Sequence, residues 1–195
     1  QTEAIVGAQD VADSSVLAHS TAWALLGVGD EDFDGHALAR LKELVSTGGI
    51  PLVAELWASS PDFTLPGALW RVYLFREGYH RDPLIAAELY LLGLGAERVP
   101  GLERPLNDAP LDEVIAQADA LLLGVRTDDD LEEIFTAIAR AMRIIAAGDP
   151  RVGQQWIDDP HDALAYGVTT RARALVMTAQ ELERAASRAR IGDLD

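Results

Sequence analysis

The chain has 195 residues, 49% of them hydrophobic, with 16 basic against 32 acidic side chains and hence a net charge of −16. Such a chain buries a core without help from disulfides or metal. Its charge argues against a nucleic-acid platform or an anionic membrane partner, both of which need clustered Lys and Arg. There is no cysteine, which excludes thiolate nucleophiles, iron–sulfur clusters and Cys-type zinc sites, and suits a reducing cytoplasm.

The segment QTEAIVGAQD has no basic-then-apolar plan of a secretion signal, and no apolar run approaches the 18 residues of a membrane span. Helical starts and stops are frequent from there on, and strand patterns with hairpin turns are absent. A first helix is predicted from about Asp13 to Leu26, ending at Gly27. A second takes Asp34 as N-cap, shows Leu38, Leu41, Leu44 and Val45 on one face, and stops at Gly48-Gly49. Pro51 to Trp57 forms a short third. Pro66, a favoured first-turn residue, starts a fourth that runs to about Arg81. Pro83 starts a fifth, ending near Gly93 or Gly95. Residues 96–110, with Pro100, Pro105 and Pro110, read as a connector. Four more helices are predicted at about 111–123, 128–147, 150–157 and 162–190. The 15 arginines to one lysine, Lys42, together with abundant alanine, point to a GC-rich coding sequence and so to a bacterial source.

Charge is distributed unevenly along these elements. Residues 1–60 carry 9 acids and 2 bases, and 101–150 carry 11 and 4, whereas 61–100 and 151–195 are nearly neutral. That alternation prompts a search for repetition. Residues 35–61 lie over 135–160 with Ala37, Ala39 and Arg40 on Ala137, Ala139 and Arg140, and Gly48 on Gly148. After a one-residue gap, Pro51, Val53, Trp57 and Pro61 fall on Pro150, Val152, Trp156 and Pro160. Leu26-Gly27-Val28 similarly falls on Leu123-Gly124-Val125, and Leu65, Gly67 and Arg71 on Leu164, Gly167 and Arg171. The expected fold is therefore all-α, with two pseudo-symmetric halves, 1–95 and 111–195, packed as one globular unit across a pseudo-twofold interface. Trp57 and Trp156 are expected to be equivalent buried anchors.

Three motifs carry candidate chemistry. Asp30-Glu31-Asp32-Phe33-Asp34-Gly35 opens like a calcium loop, but positions 9 and 12 of that loop would be Leu38 and Leu41, which supply no oxygen ligands. The acidic start Thr127–Glu133 keeps the charge without the spacing, so both segments suit a helix N-terminus, whose dipole favours acid. His161-Asp162 resembles the dyad of HD-type metal phosphohydrolases, with His80 as the one candidate upstream ligand and little chain left for the downstream acid. The ordinary reading is a helix start after Asp159-Pro160.

The third motif is the helix after Pro66. At 100° per residue, Trp70, Tyr73, Glu77 and His80 share an arc of about 80°, making them the candidate ligand-binding residues. Glu77 and His80 stand at i, i+3, as in one half of a di-iron carboxylate motif. The matching positions near Met177 and Gln180 supply no second half, and Glu55 and Glu88 are the remaining candidate carboxylates. The structural alternative pairs Glu77 with Arg81 and sets His80 at the helix end. Arg171, Arg173, Arg184, Arg188 and Arg190 are expected to pair with neighbouring acids or favour a helix C-terminus.

No G-x-S-x-G elbow, dinucleotide-binding turn or P-loop is present. The expected function is binding: an unknown protein or small-molecule partner held between the halves, with no cofactor, no metal, no nucleic acid and no membrane, and a homodimer compatible with the pattern. The alternative is a small-molecule enzyme, metal-assisted or not, working from the Tyr73/Glu77/His80 face.

Overall fold

The computed structural model describes residues 3–28, 35–149 and 163–195, the side chains of 3–11 and 163–170 excepted. The architecture is all-α: α1 (Glu3–Leu25), α2 (Gly35–Leu44), α3 (Ile50–Trp57), α4 (Leu65–Arg81), α5 (Pro83–Gly95), α6 (Leu111–Leu122), α7 (Leu131–Gly148) and α8 (Ala163–Ile191). Among the described residues no helix is long and apolar enough to cross a membrane.

The stop signals act as their chemistry requires. Gly27 and Gly124 close α1 and α6 in the left-handed region, at φ +80° and +69°. In each case the next residue's N–H reaches back five residues, Val28 to Trp23 O and Val125 to Ala120 O. These are Schellman closures of the C-terminal carbonyls. Thr64 caps α4 by accepting from Gly67 N at 3.2 Å, and Asp82 caps α5 by accepting from Ile85 N at 3.3 Å.

Three boundaries differ from expectation. α1 starts ten residues earlier than Asp13, because Glu3–Val11 holds no proline and its one glycine, Gly7, costs only about 1 kcal/mol against alanine. The stop at Gly48-Gly49 is a kink rather than a gap: Val45–Gly49 form one π turn, with Gly48 at φ +93°, and α3 follows at once. Before α7, Asp128–Asp130 form a 3-10 turn closed by a reciprocal Thr127/Asp130 capping box.

The core is built around α7. Twelve of its 18 residues are buried, including Leu131, Phe135, Ile138, Met142 and Ile145. α8 and α5 pack along it most extensively, and α6 and α4 more briefly. The α5–α7 crossing is set by two glycines. A Cβ on Gly148 would lie 1.7 Å from Leu89 O, and one on Gly93 would lie 1.8 Å from Ile144 O. The two backbones touch there, which only residues lacking a side chain permit.

Residues 96–110 pack onto the helices rather than hang between them. Val99 is buried, Tyr90 Oη donates to Ala109 O at 2.7 Å, and Arg104 donates to the carbonyls of Leu94 and Ala96. Arg143, itself buried, donates through Nη1 to Pro100 O at 2.9 Å and grips Glu183 of α8 through Nε and Nη2 at 2.7 and 2.8 Å.

Trp57 is 1% exposed and its Nε1–H donates to Thr21 Oγ1 at 3.1 Å, so this tryptophan anchors α3 on α1. Trp156, Pro150, Val152 and Pro160 lie outside the described residues. The matched positions that are described differ in setting: Ala39 is exposed and Ala139 fully buried, and Gly48 sits at a left-handed kink while Gly148 ends a packed helix.

Candidate ligand-binding cleft

Along the 3-10 turn and α7, Asp129, Glu132, Glu133, Thr136, Ala137 and Arg140 recur at intervals of three and four, and on α7 these positions share the face opposite the core stripe. The chain around them turns this face into a concavity. The connector brings Asp108 and Ala109 over one side, α5 contributes Tyr90, and α6 contributes Val114. Together they line a cleft of about 550 Å³. A smaller lobe of about 130 Å³ adjoins it, sharing the wall of Ala109, Val114, Glu133 and Ala137 and adding Arg126, Asp130, Glu113 and Gln117.

One charge in the large lobe is matched. Arg140 grips Asp108, with Nη2 3.0 Å from Oδ2, and the Asp108 side chain is only 7% exposed. The Asp108 hydrogen bond raises the Arg140 pKa against the opposing effect of burial. Burial, helped by the Asp108 carboxylate, pushes the Tyr90 phenol up to about 12. Tyr90 therefore stays a neutral donor to Ala109 O at any physiological pH.

The remaining charges are not balanced. Asp129, Glu132 and Glu133 face the large lobe, where Glu132 nears Arg190 Nε at 3.9 Å, and Glu133 shares the small lobe with Arg126. In the small lobe stands Arg126, whose Nε–H is buried and has no hydrogen-bond partner among the described residues. Buried donors are nearly always satisfied, so an orphaned guanidinium nitrogen in a cavity wall needs an explanation.

The residues singled out from sequence form a different assembly. Trp70 and Tyr73 stack with ring centroids 5.5 Å apart. Arg76 donates to Glu77 Oε1 at 2.6 Å and to Asp119 Oδ1 of α6 at 2.5 Å. His80 is exposed, with Nε2 3.7 Å from that same Asp119 oxygen. Glu77 is thus paired with Arg76 rather than with Arg81, because Arg76 stands between α4 and α6, where it can bridge two carboxylates. Burial lowers the Arg76 pKa, but the Asp119 hydrogen bond and charge more than reverse this, so the net shift is upward. Burial and then the Glu77 charge raise the Tyr73 phenol. Neither lobe of the cleft is lined by Trp70, Tyr73, Glu77 or His80.

No protein-family model, no curated protein and no solved structure matches this chain.

Glu55 and Glu88 are exposed on α3 and α5. Among the described residues no three His, Asp or Glu side chains gather as a metal site. Asp30–Asp34, His161 and Asp162 lie outside those residues. Of the last-helix arginines, Arg184 pairs with Asp62 at 2.6 Å and Arg188 lies over the Phe63 ring at 5.5 Å, while Arg171 and Arg173 are exposed.

Thr127–Glu133 does start a helix as its acids imply: the Thr127/Asp130 capping box closes the 3-10 turn that leads into α7, and Glu132 and Glu133 lie in the first turn of α7. Sequence reasoning misses the second role of the same turn. The available signal was the small, polar continuation of that face through Thr136 and Ala137 to Arg140, with a lone arginine just upstream.

Proposed function

We propose that this protein acts by binding, and that it holds a small polar ligand in the cleft where α5 and the connector meet α6 and α7. The observation that carries the reading is Arg126. Its side chain lines the small lobe beside Glu113, Asp130 and Glu133, and its buried Nε–H has no acceptor among the described residues. A polar ligand in the small lobe meets the Arg126 side chain and these carboxylates, and Tyr90 together with the Asp108–Arg140 pair gives the large lobe fixed polar edges. No such unmet group supports the enzyme alternative on the Tyr73/Glu77/His80 face.

The duplication belongs to the same reading. Its support is the shared Gly-Pro-Val-Trp-Pro spacing and the position of the two matched Leu-Gly-Val closures. A Cβ on Gly124 would lie 2.8 Å from Leu25 O, so the closures stand against one another, as equivalent elements near a twofold axis would. The ligand would then sit between the halves, beside the connector. A cytoplasmic setting fits the cysteine-free composition, and −16 net charge disfavours nucleic acid.

The test is a thermal-shift screen of wild type and Arg126→Gln against amino acids, organic acids, amines, sugars and nucleotides. The expected result is at least one class that raises Tm for wild type and not for the variant. If no class does so, or if every shift survives in Arg126→Gln, the cleft is not the binding site.

A further inference from the structure

We infer that the outer face of α5 is a self-association surface, on which two copies of this chain pair antiparallel about Leu84 and Ile85.

α5 is apolar on every side, with Glu88 its one charge. The side holding Tyr90 and Gly93 is buried. On the other side, at 100° per residue, Leu84, Ile85, Glu88, Leu91, Leu92 and Gly95 fall within an arc of about 120°. All six are exposed, Leu84 at 83% and Leu91 at 69%. A helix that is apolar all round belongs between neighbours, and a contiguous exposed apolar strip marks a contact surface.

Charge selects a second copy as the occupant. Glu88 sits in the middle of the apolar arc, and Arg81 is exposed just before α5. Neither makes an ion pair among the described residues. Glu77, the acid one turn back from Arg81, is taken by Arg76, and Asp82 turns inward to accept from Ile85 N. Arg81 stands three positions before Leu84, and Glu88 three positions after Ile85.

An antiparallel pair centred between Leu84 and Ile85 therefore sets Glu88 of each copy towards Arg81 of the other. One patch then makes two ion pairs around a central apolar contact, the self-complementarity that a twofold interface requires. Elsewhere a chain of net charge −16 repels its own kind. Residues 61–100 hold 5 acids and 4 bases, so two copies meet here with little of that repulsion.

The experiment is sedimentation equilibrium of the intact chain from about 10 μM to 1 mM, a range suited to a contact smaller than the standard interface of about 1,600 Å². Wild type should show a reversible monomer–dimer equilibrium. Leu84→Ser should weaken it at least about ten-fold, because two leucines leave the contact. Arg81→Glu should weaken it by a similar factor, because carboxylate then faces carboxylate twice. Adding Glu88→Arg to Arg81→Glu restores opposite charges and should bring the dimer back to within about three-fold of wild type.

All three positions are exposed, so each variant should melt like dilute wild type, and lost association would not reflect unfolding. A wild-type chain still monomeric at the highest concentration would overturn the inference and leave this face to a different partner. A dimer unchanged by Leu84→Ser would overturn it too, as would a double variant no tighter than Arg81→Glu alone.

Discussion

The proposed duplication lays α2 over α7, yet the fold uses these two helices in opposite ways. α2 lies at an edge against α1 and buries one residue, Leu41. α7 is enclosed by α5, α6 and α8 and buries twelve. Ala39 and Ala139 align, but one faces solvent and the other is fully buried. The lesson is that an alanine-rich helix does not choose its own depth. Small side chains tolerate both settings, and the neighbours decide.

The glycines sharpen this contrast most. Gly48 needs its left-handed φ of +93° but has open space around it. Gly148 has ordinary helical backbone but no room at all, with Leu89 O at the Cβ position. Gly48→Ala should cost about 1 kcal/mol, the strain of a side chain at positive φ. Gly148→Ala must push α5 away from α7 and should cost about 3 kcal/mol. Urea unfolding of the two variants measures both. Equal costs would mean the two positions do the same work, and the structural contrast between these two glycines would collapse.

The arginines come next. Arg40 is exposed on α2, whereas its aligned partner Arg140 neutralises the buried Asp108 carboxylate. Arg40→Ala should change stability by no more than about 0.5 kcal/mol. Arg140→Ala leaves Asp108 facing Tyr90 without a countercharge and should cost about 2 kcal/mol. Replacing Asp108 by Asn in the Arg140→Ala background should recover part of that loss, since the stranded charge is then gone. No recovery would show that Arg140 acts through packing alone.

Much of this was legible in the sequence, and the limit has a physical origin. Gly, Pro, Thr and Asp act on the backbone within a few residues of themselves, so Gly27, Gly124, Pro51, Pro66 and Pro83 mark helix ends correctly. Trp57 could be placed in the core because so large an apolar group has few other stable locations. The cleft depends instead on which helices meet: Arg126, Glu133 and Asp108 are separated in sequence and converge only when the connector folds back across α6 and α7. The Glu77/His80 face shows the reverse problem. Its spacing on α4 was readable, but Asp119, which engages Arg76 and lies 3.7 Å from His80, sits on α6.

The smallest expected effect concerns the edge of the cleft. Tyr90 donates to Ala109 O, so Tyr90→Phe should cost about 1 kcal/mol at pH 8. The size of that difference depends on pH in a defined direction. In the unfolded chain the phenol ionises near its ordinary value of 10.0, while burial and Asp108 hold it to about 12 in the fold. Below pH 10 both states keep the proton and the full difference remains. Between pH 10 and 12 only the unfolded state gains by ionising, so wild type loses stability that Tyr90→Phe, with no phenol at this position, does not lose. The urea midpoints of the two proteins should therefore converge as pH rises above 10 and reverse their order before pH 12. A gap that stays constant to pH 11.5 would mean that Tyr90 ionises as freely in the fold as outside it, and that the wall of the cleft is wetter than its hydrogen bond implies.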